Sequence, residues 1–321
     1  MTGGNQIRLA VGILTALPLL AAALLLLAAP AHAKPRVAGS FKVSGVGSDN
    51  GIARGPGGTM WVTLDNGNDI ARITPKGKVK EFDPSDLNFP VGITRGPDGK
   101  LWVTDNGGVA RIPPKKPNKA AFFPIAAISD PRGITKGPDG NLWAASGDSL
   151  VRIPPDNPAA FTDFTIGGMG ARGITASGGR LWIADFNGGR IVRATTAGVP
   201  SFFDVGGGPQ QVGGGPKKQI AYSNPGTDPQ TVGRIVGGDA KTRNTPQADP
   251  FGITRAADGA YWFAEFATNR LGRMTTGGKI TRRLGGFPAN SGPRQIARGA
   301  KGTLWVTLDN KDRVARVKGV R

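Results

Sequence analysis

The chain has 321 residues and no cysteine, so disulfide bonds and thiolate-bound metals are excluded as sources of its stability. Glycine (51) and proline (26) are abundant, yet Trp, Ile, Val, Leu and Phe recur at regular intervals, which excludes a disordered polymer and favours short strands joined by tight turns. The formal charge of +19 predicts attraction to anionic ligands or surfaces, and colloidal solubility is the simpler explanation of the same charge.

The first 33 residues have the pattern of an export signal. Arg8 is the single charge before an apolar run from Leu9 to Pro30, and Ala31-His32-Ala33 fits the small-x-small pattern of a signal-peptidase site. We therefore expect residues 1–33 to be a signal peptide and the protein to be secreted or held in the cell envelope or periplasm. The apolar run is also long enough to span a bilayer, so an uncleaved membrane anchor is the alternative.

From residue 34 onwards the sequence consists of a repeat about 41 residues long. The segment PVGITRGPDGKLWVTDNGGVARI (Pro90 to Ile112) recurs as PRGITKGPDGNLWAASGDSLVRI (Pro131 to Ile153) and in five more divergent copies. One position of the repeat is occupied in turn by Trp61, Trp102, Trp143, Trp182, Ala221, Trp262 and Trp305. All six tryptophans of the chain fall in this register, and Ala221 marks a degenerate fifth copy.

Each copy predicts four short strands. The G-I-T segment is the first strand, and a turn such as Gly96-Pro97-Asp98-Gly99 follows it. L-W-V-T is the second strand, with its tryptophan facing a neighbouring copy; I-A-R-I is the third, and an aromatic-tipped segment such as Val79 to Phe82 is the fourth. One such sheet cannot bury both of its faces, so the copies must stack. Radially stacked units of this size are propeller blades, so we predict an all-β, seven-bladed β-propeller over residues 34–321.

The two ends of the repeat region complement each other. The last copy stops at Arg321 without a fourth strand, whereas the orphan segment Gly39-Ser40-Phe41-Lys42-Val43 resembles Lys78-Val79-Lys80-Glu81-Phe82. We predict that this N-terminal strand completes the last four-stranded blade and closes the ring, because closure removes two open sheet edges.

The pattern P-x-G-I-T-x-G-P-D-G-x-L-W-V-T…I-x-R-I resembles the streptogramin lyase (virginiamycin B lyase) family over roughly residues 36 to 321, and more distantly the NHL-repeat and gluconolactonase-like propellers. The resemblance implies opening of a cyclic depsipeptide by elimination, with a magnesium ion, histidines in the P-x-G-I slot of late blades and a glutamate three residues after the blade tryptophan. Here Phe251 and Arg294 stand in the histidine slots, and Leu308 follows Trp305. Only Glu265 keeps the acidic type.

The single histidine, His32, lies in the predicted signal peptide. Elimination needs a base that is partly neutral near pH 7, and Arg294 stays protonated at that pH. A carboxylate in this role would need its pKa raised by about 3 units. We therefore predict no catalytic residue and a non-catalytic binding or interaction module. The alternative is a metal-dependent lyase, or a gluconolactonase-like hydrolase, that uses carboxylates only.

Two repeated positions are expected to point into the central funnel of the propeller. The residue before G-I includes Arg132, Arg172 and Arg294, and the residue three after the tryptophan includes Asp105, Asp185 and Glu265. Arginine suits bidentate recognition of carboxylate or phosphate, so these residues predict a site for an anionic small molecule or a cell-wall polymer. In the alternative, the arginines pair with the acids of nearby blades in a structural ring.

The remaining expectations concern cofactors and partners. The three acids together with Asn224 could hold Ca²⁺, but the acids belong to blades two, four and six, which is far apart for one ion. We therefore expect no cofactor, with Ca²⁺ or Mg²⁺ as the alternative. Nucleic-acid binding is not expected, because the aromatic residues occupy packing positions. We expect a monomer that meets a membrane only through an uncleaved N-terminal segment.

An arginine recurs in every third strand of the repeat. It predicts either an inter-blade hydrogen-bond donor or a solvated strand face; the alternative is a charged ring that a polyanion recognises. The members of this set are Arg72, Arg111, Arg152, Arg193, Arg234, Arg273 and Arg316.

Overall fold

The computed structural model describes residues 1–3, 34–64 and 67–321. Its 28 strands form seven four-stranded antiparallel sheets, all within one compact unit, Ala33–Arg321. This confirms the prediction of an all-β, seven-bladed propeller. Residues 4–33 of the predicted signal peptide lie outside the described residues, so that prediction stays a prediction. Among the described residues, no helix has the length and apolar character needed to cross a membrane.

The first four blades follow the repeat in chain order, each numbered here from its innermost strand outwards. Blade one contains β2 (Ile52–Arg54), β3 (Met60–Leu64), β4 (Asp69–Ile73) and β5 (Val79–Phe82). Blade two contains β6 (Ile93–Arg95), β7 (Leu101–Asp105), β8 (Gly108–Ile112) and β9 (Ala121–Pro124). Blade three contains β10 (Pro131–Lys136), β11 (Leu142–Ser146), β12 (Ser149–Ile153) and β13 (Thr162–Thr165). Blade four contains β14 (Ala171–Ser177), β15 (Arg180–Asp185), β16 (Arg190–Ala194) and β17 (Pro200–Asp204).

The last three blades complete the ring. Blade five contains β18 (Gln211–Gly214), β19 (Ile220–Asn224), β20 (Thr231–Val236) and β21 (Asp239–Asn244). Blade six contains β22 (Pro250–Arg255), β23 (Tyr261–Glu265), β24 (Arg270–Met274) and β25 (Ile280–Leu284). Blade seven contains β26 (Pro293–Arg298), β27 (Leu304–Leu308), β28 (Arg313–Lys318) and, as its outermost strand, β1 (Arg36–Lys42). Three short 3₁₀ turns accompany the described strands: Pro56–Gly58, Pro158–Ala160 and Asp309–Lys311.

The ring closes through the N-terminal strand, as the sequence predicts. β1 pairs antiparallel with β28, so that Arg36 faces Lys318 and Lys42 faces Arg313, with an irregular register between Val37 and Ser40. The innermost strands of consecutive blades contact one another around the axis, and β26 of blade seven contacts β2 of blade one. The closing strand therefore leaves blade seven with the same four-stranded sheet as the others.

The repeated tryptophan holds neighbouring blades together. Trp143 of blade three is fully buried and packs with Leu181 and Ile183 of blade four, and the other tryptophans form equivalent clusters with the blade that follows. The indole N–H of Trp143 donates to Asp139 of its own G-P-D-G turn at 3.0 Å. Burial of an indole of this size contributes several kcal/mol, so the tryptophan register sets the spacing of the blades.

The recurring third-strand arginine lies over aromatic rings in five blades, at Arg72, Arg111, Arg152, Arg193 and Arg316. Arg111 has its guanidinium carbon 5.7 Å from the centroid of Trp102 and 5.1 Å from that of Phe123. Arg111 also donates to the carbonyl of Pro155 in the next blade at 3.5 Å, and Arg234 donates to the carbonyl of Gly277 at 3.0 Å. Arg111 thus combines cation–π contacts with a hydrogen bond to the next blade, whereas Arg234 makes the inter-blade hydrogen bond alone, and both arrangements agree with the structural interpretation of the repeated position.

Candidate functional site

A central cavity of about 210 Å³ lies where the innermost strands of all seven blades begin. The residue before the G-I pair points into it, so the cavity brings together Arg132, Arg172 and Arg294, as expected from their position in the repeat. Glycine is required beside these residues, because a Cβ on Gly252 would lie 2.6 Å from the carbonyl oxygen of Arg294. The absence of a side chain there lets the inner strands approach the axis.

Arg132 is already paired with two carboxylates. Its guanidinium lies 2.8 Å from Asp130 and 3.2 Å from Asp49, and its side chain is 17% exposed. Asp130 precedes β10, and Asp49 belongs to the connection that leads from β1 into blade one. These two contacts neutralise the charge of Arg132, one from a residue of the cavity wall and one from just outside the cavity.

Arg294 has a carboxylate and two aromatic rings as neighbours. Its Nε lies 3.4 Å from Asp309, and its guanidinium carbon lies 4.0 Å from the ring centroid of Phe251 and 5.7 Å from that of Phe266. The two rings are arranged edge to face, with centroids 5.9 Å apart. Arg294 is therefore fixed against an apolar wall on one side of the cavity.

Arg172 differs from the other two arginines. Among the described residues it has no ion pair and no side-chain hydrogen bond; the ring centroid of Phe186 lies 5.0 Å away, and the carboxylates of Asp130 and Asp49 attract it from beyond ion-pair distance. Burial, and then repulsion from Arg132, lower the pKa of Arg172 from its ordinary value. The group remains a guanidinium at neutral pH, because arginine is not deprotonated in proteins. Arg172 therefore presents its N–H donors to the cavity with no carboxylate of the described residues within ion-pair distance.

The three predicted acidic residues lie outside the lining of the cavity, which corrects their expected placement. Each is fully buried at the end of a second strand. Asp105 accepts hydrogen bonds from the backbone N–H of Asn88 at 2.8 Å and of Asn106 at 3.0 Å. Burial raises the pKa of Asp105 to about 6. No arginine lies in an ion pair with this carboxylate among the described residues.

Asp185 and Glu265 are paired locally. Asp185 lies 2.6 Å from Arg190 and accepts the backbone N–H of Gly170 at 2.8 Å. Glu265 lies 2.8 Å from Arg283 and accepts the hydroxyl of Thr268 at 2.7 Å. The expected ring of ion pairs between these acids and the cavity arginines is therefore not formed. The repeat position places these acids one strand away from the axis, where strand-end contacts use up their oxygens.

Sequence reasoning missed several of the residues that accompany the arginines. Asp49, Gln211 and Gln295 line the cavity, and Asp130 pairs with Arg132 from just outside it; Gln210 also lines the cavity, but it occupies the same repeat position as the three arginines and is expected there. Asp49 belongs to no copy of the repeat, so periodicity gives no signal for it. Gln211 and Gln295 could have been found as polar residues at the G-I pair of the fifth and seventh copies.

The residues in the slots that the resemblance assigns to catalysis do not fit a magnesium ion. Phe251 and Leu308 offer no oxygen, Arg294 is a cation, and both carboxylate oxygens of Glu265 already accept hydrogen bonds. Within the described ranges, no group of three or more acidic or histidine side chains lies close enough to hold a metal ion. Asn224, the fourth residue of the alternative calcium set, donates instead to the carbonyl of Gly206 at 2.8 Å.

Comparison with known proteins identifies the family of the chain. The profile of the virginiamycin B lyase family matches residues 38–172 and 159–320. The chain belongs to this family. A virginiamycin B lyase from Nocardia farcinica is 31% identical over 86 residues, which are 27% of this chain and 29% of that protein. The matched region thus spans less than a third of this curated virginiamycin B lyase.

Solved structures of the family have the same fold. A streptogramin B lyase is 22% identical, with a TM-score of 0.76 over 87% of this chain and 96% of its own. A catalytically inactive histidine-to-alanine variant of virginiamycin B lyase from Staphylococcus aureus, solved with quinupristin, is 23% identical, with a TM-score of 0.76 over 89% of this chain and 99% of its own. The resemblance of the repeat to the virginiamycin B lyase family is confirmed.

Proposed function

We propose that this member of the virginiamycin B lyase family is a non-catalytic binding module whose central cavity holds a small ligand by one carboxylate or phosphate group. Arg172 is the observation on which the proposal rests, because its guanidinium lines the cavity and has no ion pair among the described residues. A bound anion would supply the missing partner. The planar guanidinium suits bidentate contact with two oxygens of such a group.

The surroundings of Arg172 favour a small ligand with a single anionic group. Asp49 and Asp130 already neutralise Arg132, and Asp309 lies beside Arg294. A polyanion would be repelled by these carboxylates. A ligand with a single carboxylate or phosphate group could bind Arg172 without displacing them. The volume of about 210 Å³ also suits a small molecule better than a polymer.

Other polar and apolar groups line the rest of the cavity. Gln211 donates to Gln295 at 3.4 Å, and Gln210 lies beside them, so amide donors and acceptors face the same space. Phe251 supplies an apolar wall. The ligand class that fits is therefore a compact molecule with one acidic group, a polar portion and an apolar portion.

The absence of a general base in the sequence supports the non-catalytic part of the proposal. Residues 34–321 contain no histidine. Asp105 has a pKa of about 6, which would suit a base, but its side chain is 0% exposed and its oxygens accept backbone N–H groups. The related Staphylococcus aureus enzyme is inactive when one histidine is replaced by alanine. A carboxylate-only lyase or hydrolase would need a free carboxylate in the cavity, and Asp49 is held by Arg132.

The experiment compares two arginines of blade four. Inorganic phosphate and acetate are titrated into the wild-type protein, into Arg172→Gln and into Arg180→Gln, an exposed arginine at the start of β15 that serves as the matched control. We expect phosphate to raise the melting temperature of the wild type and of Arg180→Gln, and to bind Arg172→Gln at least tenfold more weakly. Equal responses of all three proteins would contradict the proposal. Arg172→Gln alone should lower stability by no more than about 1 kcal/mol, since it removes the cation–π contact with Phe186 and no ion pair.

A further inference from the structure

The antiparallel order of every blade sends its connections to two opposite faces of the ring. The connections from second to third strands, and from one blade to the next, surround the cavity; we call this side the cavity face. The connections from first to second strands and from third to fourth strands lie at the other end of the strands; we call this side the far face. Each face includes the strand-end residues that flank its connections.

The two faces carry opposite charge. Between Arg36 and Lys318, the described residues of the far face include eighteen lysines and arginines against five aspartates, a net charge of +13. The described residues of the cavity face include five lysines and arginines against fourteen acidic residues, a net charge of −9. Adding the three cavity arginines changes the second value only to −6. The excess positive charge of the chain is therefore concentrated on one side of the ring.

The cations of the far face are not neutralised within the protein. None of the eighteen takes part in an ion pair among the described residues. Three of the five aspartates on this face, Asp98, Asp139 and Asp258, accept hydrogen bonds from buried tryptophan indoles, so their oxygens are turned towards the blades. The positive field of this face extends about 10 Å into solution at 0.1 M salt.

We propose that the far face docks onto the surface of an anionic lipid bilayer, in place of the sequence-based expectation that the protein meets a membrane only through its N-terminal segment. The positive residues are distributed over all seven blades and the closing strand rather than along one groove, so they present a broad surface. Each lysine or arginine near an anionic bilayer strengthens binding about fivefold, and the contributions of a dozen such groups need only be partly additive to give stable attachment.

One further observation favours a bilayer over a soluble polyanion. Val199 lies in the connection between β16 and β17 on the far face, and it is 60% exposed, which gives this face an exposed apolar residue. Docking in this orientation leaves the cavity face open to solvent.

The test measures sedimentation with vesicles of phosphatidylcholine, with and without phosphatidylglycerol, as salt is varied. Residues 34–321 are used, since they contain all seven sheets, the closing strand and every hydrophobic cluster. Circular dichroism confirms that each variant is folded. We expect binding only to vesicles that contain phosphatidylglycerol, with an affinity that falls steeply as salt rises.

Matched triple variants locate the surface. Lys116→Gln, Lys217→Gln and Lys218→Gln remove three exposed charges from the far face, and Lys42→Gln, Arg270→Gln and Lys311→Gln remove three from the cavity face. The first set should weaken vesicle binding about a hundredfold, and the second set should leave it unchanged or slightly stronger. Equal losses from both sets would overturn the proposal.

A soluble polyanion is the competing partner. Polyglutamate is tested beside the vesicles, and Val199→Asp separates the two, because an exposed apolar residue matters at a lipid surface and not on a hydrated polymer. We expect Val199→Asp to weaken binding to phosphatidylglycerol vesicles more than binding to polyglutamate. Binding to polyglutamate without binding to vesicles, or equal binding to both kinds of vesicle, would overturn the bilayer assignment. Neither result would affect the proposal of a ligand in the cavity, because that proposal depends on Arg172.

Discussion

The guanidinium carbon of Arg294 lies 4.0 Å from the ring centroid of Phe251. These two residues stand in the slots where the family resemblance implies histidines. A cation over an aromatic face is attractive, and the side chain of Arg294 is only 20% exposed, so the contact is partly shielded from water. The pair lines the cavity at the positions where the family resemblance implies proton-transfer groups.

A double-mutant cycle measures this contact. We expect the substitutions Arg294→Gln and Phe251→Leu to show a coupling of about 1 kcal/mol in the free energy of unfolding, because each removes the partner of the same cation–π interaction. Urea unfolding of the two single variants and the double variant gives this value. Arg294→Gln combined with Phe89→Leu, which changes an exposed phenylalanine, is the control and should be additive. Additivity of the first pair would contradict the assigned contact.

Asp105 should make stability depend on pH. Its pKa is about 6 in the folded protein and 3.8 in the unfolded chain, so folding favours the neutral acid. The stability it contributes is complete below pH 3.8 and is lost as the pH rises through 6, at a cost of about 3 kcal/mol at pH 7. We expect Asp105→Asn to remove this dependence, so that the free energy of unfolding of the variant rises relative to that of the wild type between pH 4 and pH 7.5.

The control is Asp185, which occupies the same repeat position in blade four. Asp185 pairs with Arg190, so Asp185→Asn should destabilise the protein by about 1–3 kcal/mol in this pH range. Urea unfolding at several pH values measures both effects. Parallel pH profiles for the wild type and Asp105→Asn would show that the Asp105 carboxyl is not the titrating group.

Tyr261 replaces the missing tryptophan of blade five. In blades one, two, three and seven, a Cβ added to the glycine six residues before the tryptophan would collide with the indole; at Gly215 it would collide with the Tyr261 hydroxyl of blade six. Ala221 packs in one cluster with Tyr261 and Phe263. We expect Tyr261→Ala to cost about 3–5 kcal/mol, since it opens a cavity between two blades.

A compensating substitution tests the exchange. Ala221→Trp should destabilise the wild type through overpacking and should stabilise the Tyr261→Ala variant, because the indole can then occupy the vacated space. Thermal unfolding of the four proteins of this cycle provides the measurement. A double variant no more stable than Tyr261→Ala would show that the two side chains do not share one space.

Blade five should exchange its amide hydrogens first. Its outermost strand, β21, is exposed along most of its length, and Ser223 Oγ has no hydrogen-bond partner among the described residues. In blades one and two, the corresponding Thr63 and Thr104 each donate to the next blade at 2.6 Å. We expect the earliest exchange within the ring between Val205 and Gln247, measured by mass spectrometry. Uniform protection around the ring would contradict this expectation.

The architecture could be predicted because it depends on periodic burial. The register of Trp61 to Trp305 gives the number of blades, and the similarity of residues 39–43 to residues 78–82 gives the closing strand. Both signals are local in sequence and repeat many times. The same register also places Arg132, Arg172 and Arg294 in one cavity.

The details of the site depend on contacts between distant segments, which periodicity does not encode. Asp49 reaches Arg132 from a segment outside the repeat, and Tyr261 fills a gap left by Ala221 forty residues earlier. Asp105 and Asp185 share one repeat position, yet only Asp185 has an arginine partner. The charge difference between the two faces becomes visible only when the strand order assigns each connection to a side.

The most direct test of the account is incubation of quinupristin with a molar excess of the protein at neutral pH. Liquid chromatography with fragment-ion mass spectrometry then separates the intact ring from the opened chain, and the Staphylococcus aureus virginiamycin B lyase serves as the active control. We expect quinupristin to remain intact, because residues 34–321 contain no histidine and the cavity holds no unpaired carboxylate among its described residues. Ring-opened product formed in proportion to the protein would contradict a non-catalytic role.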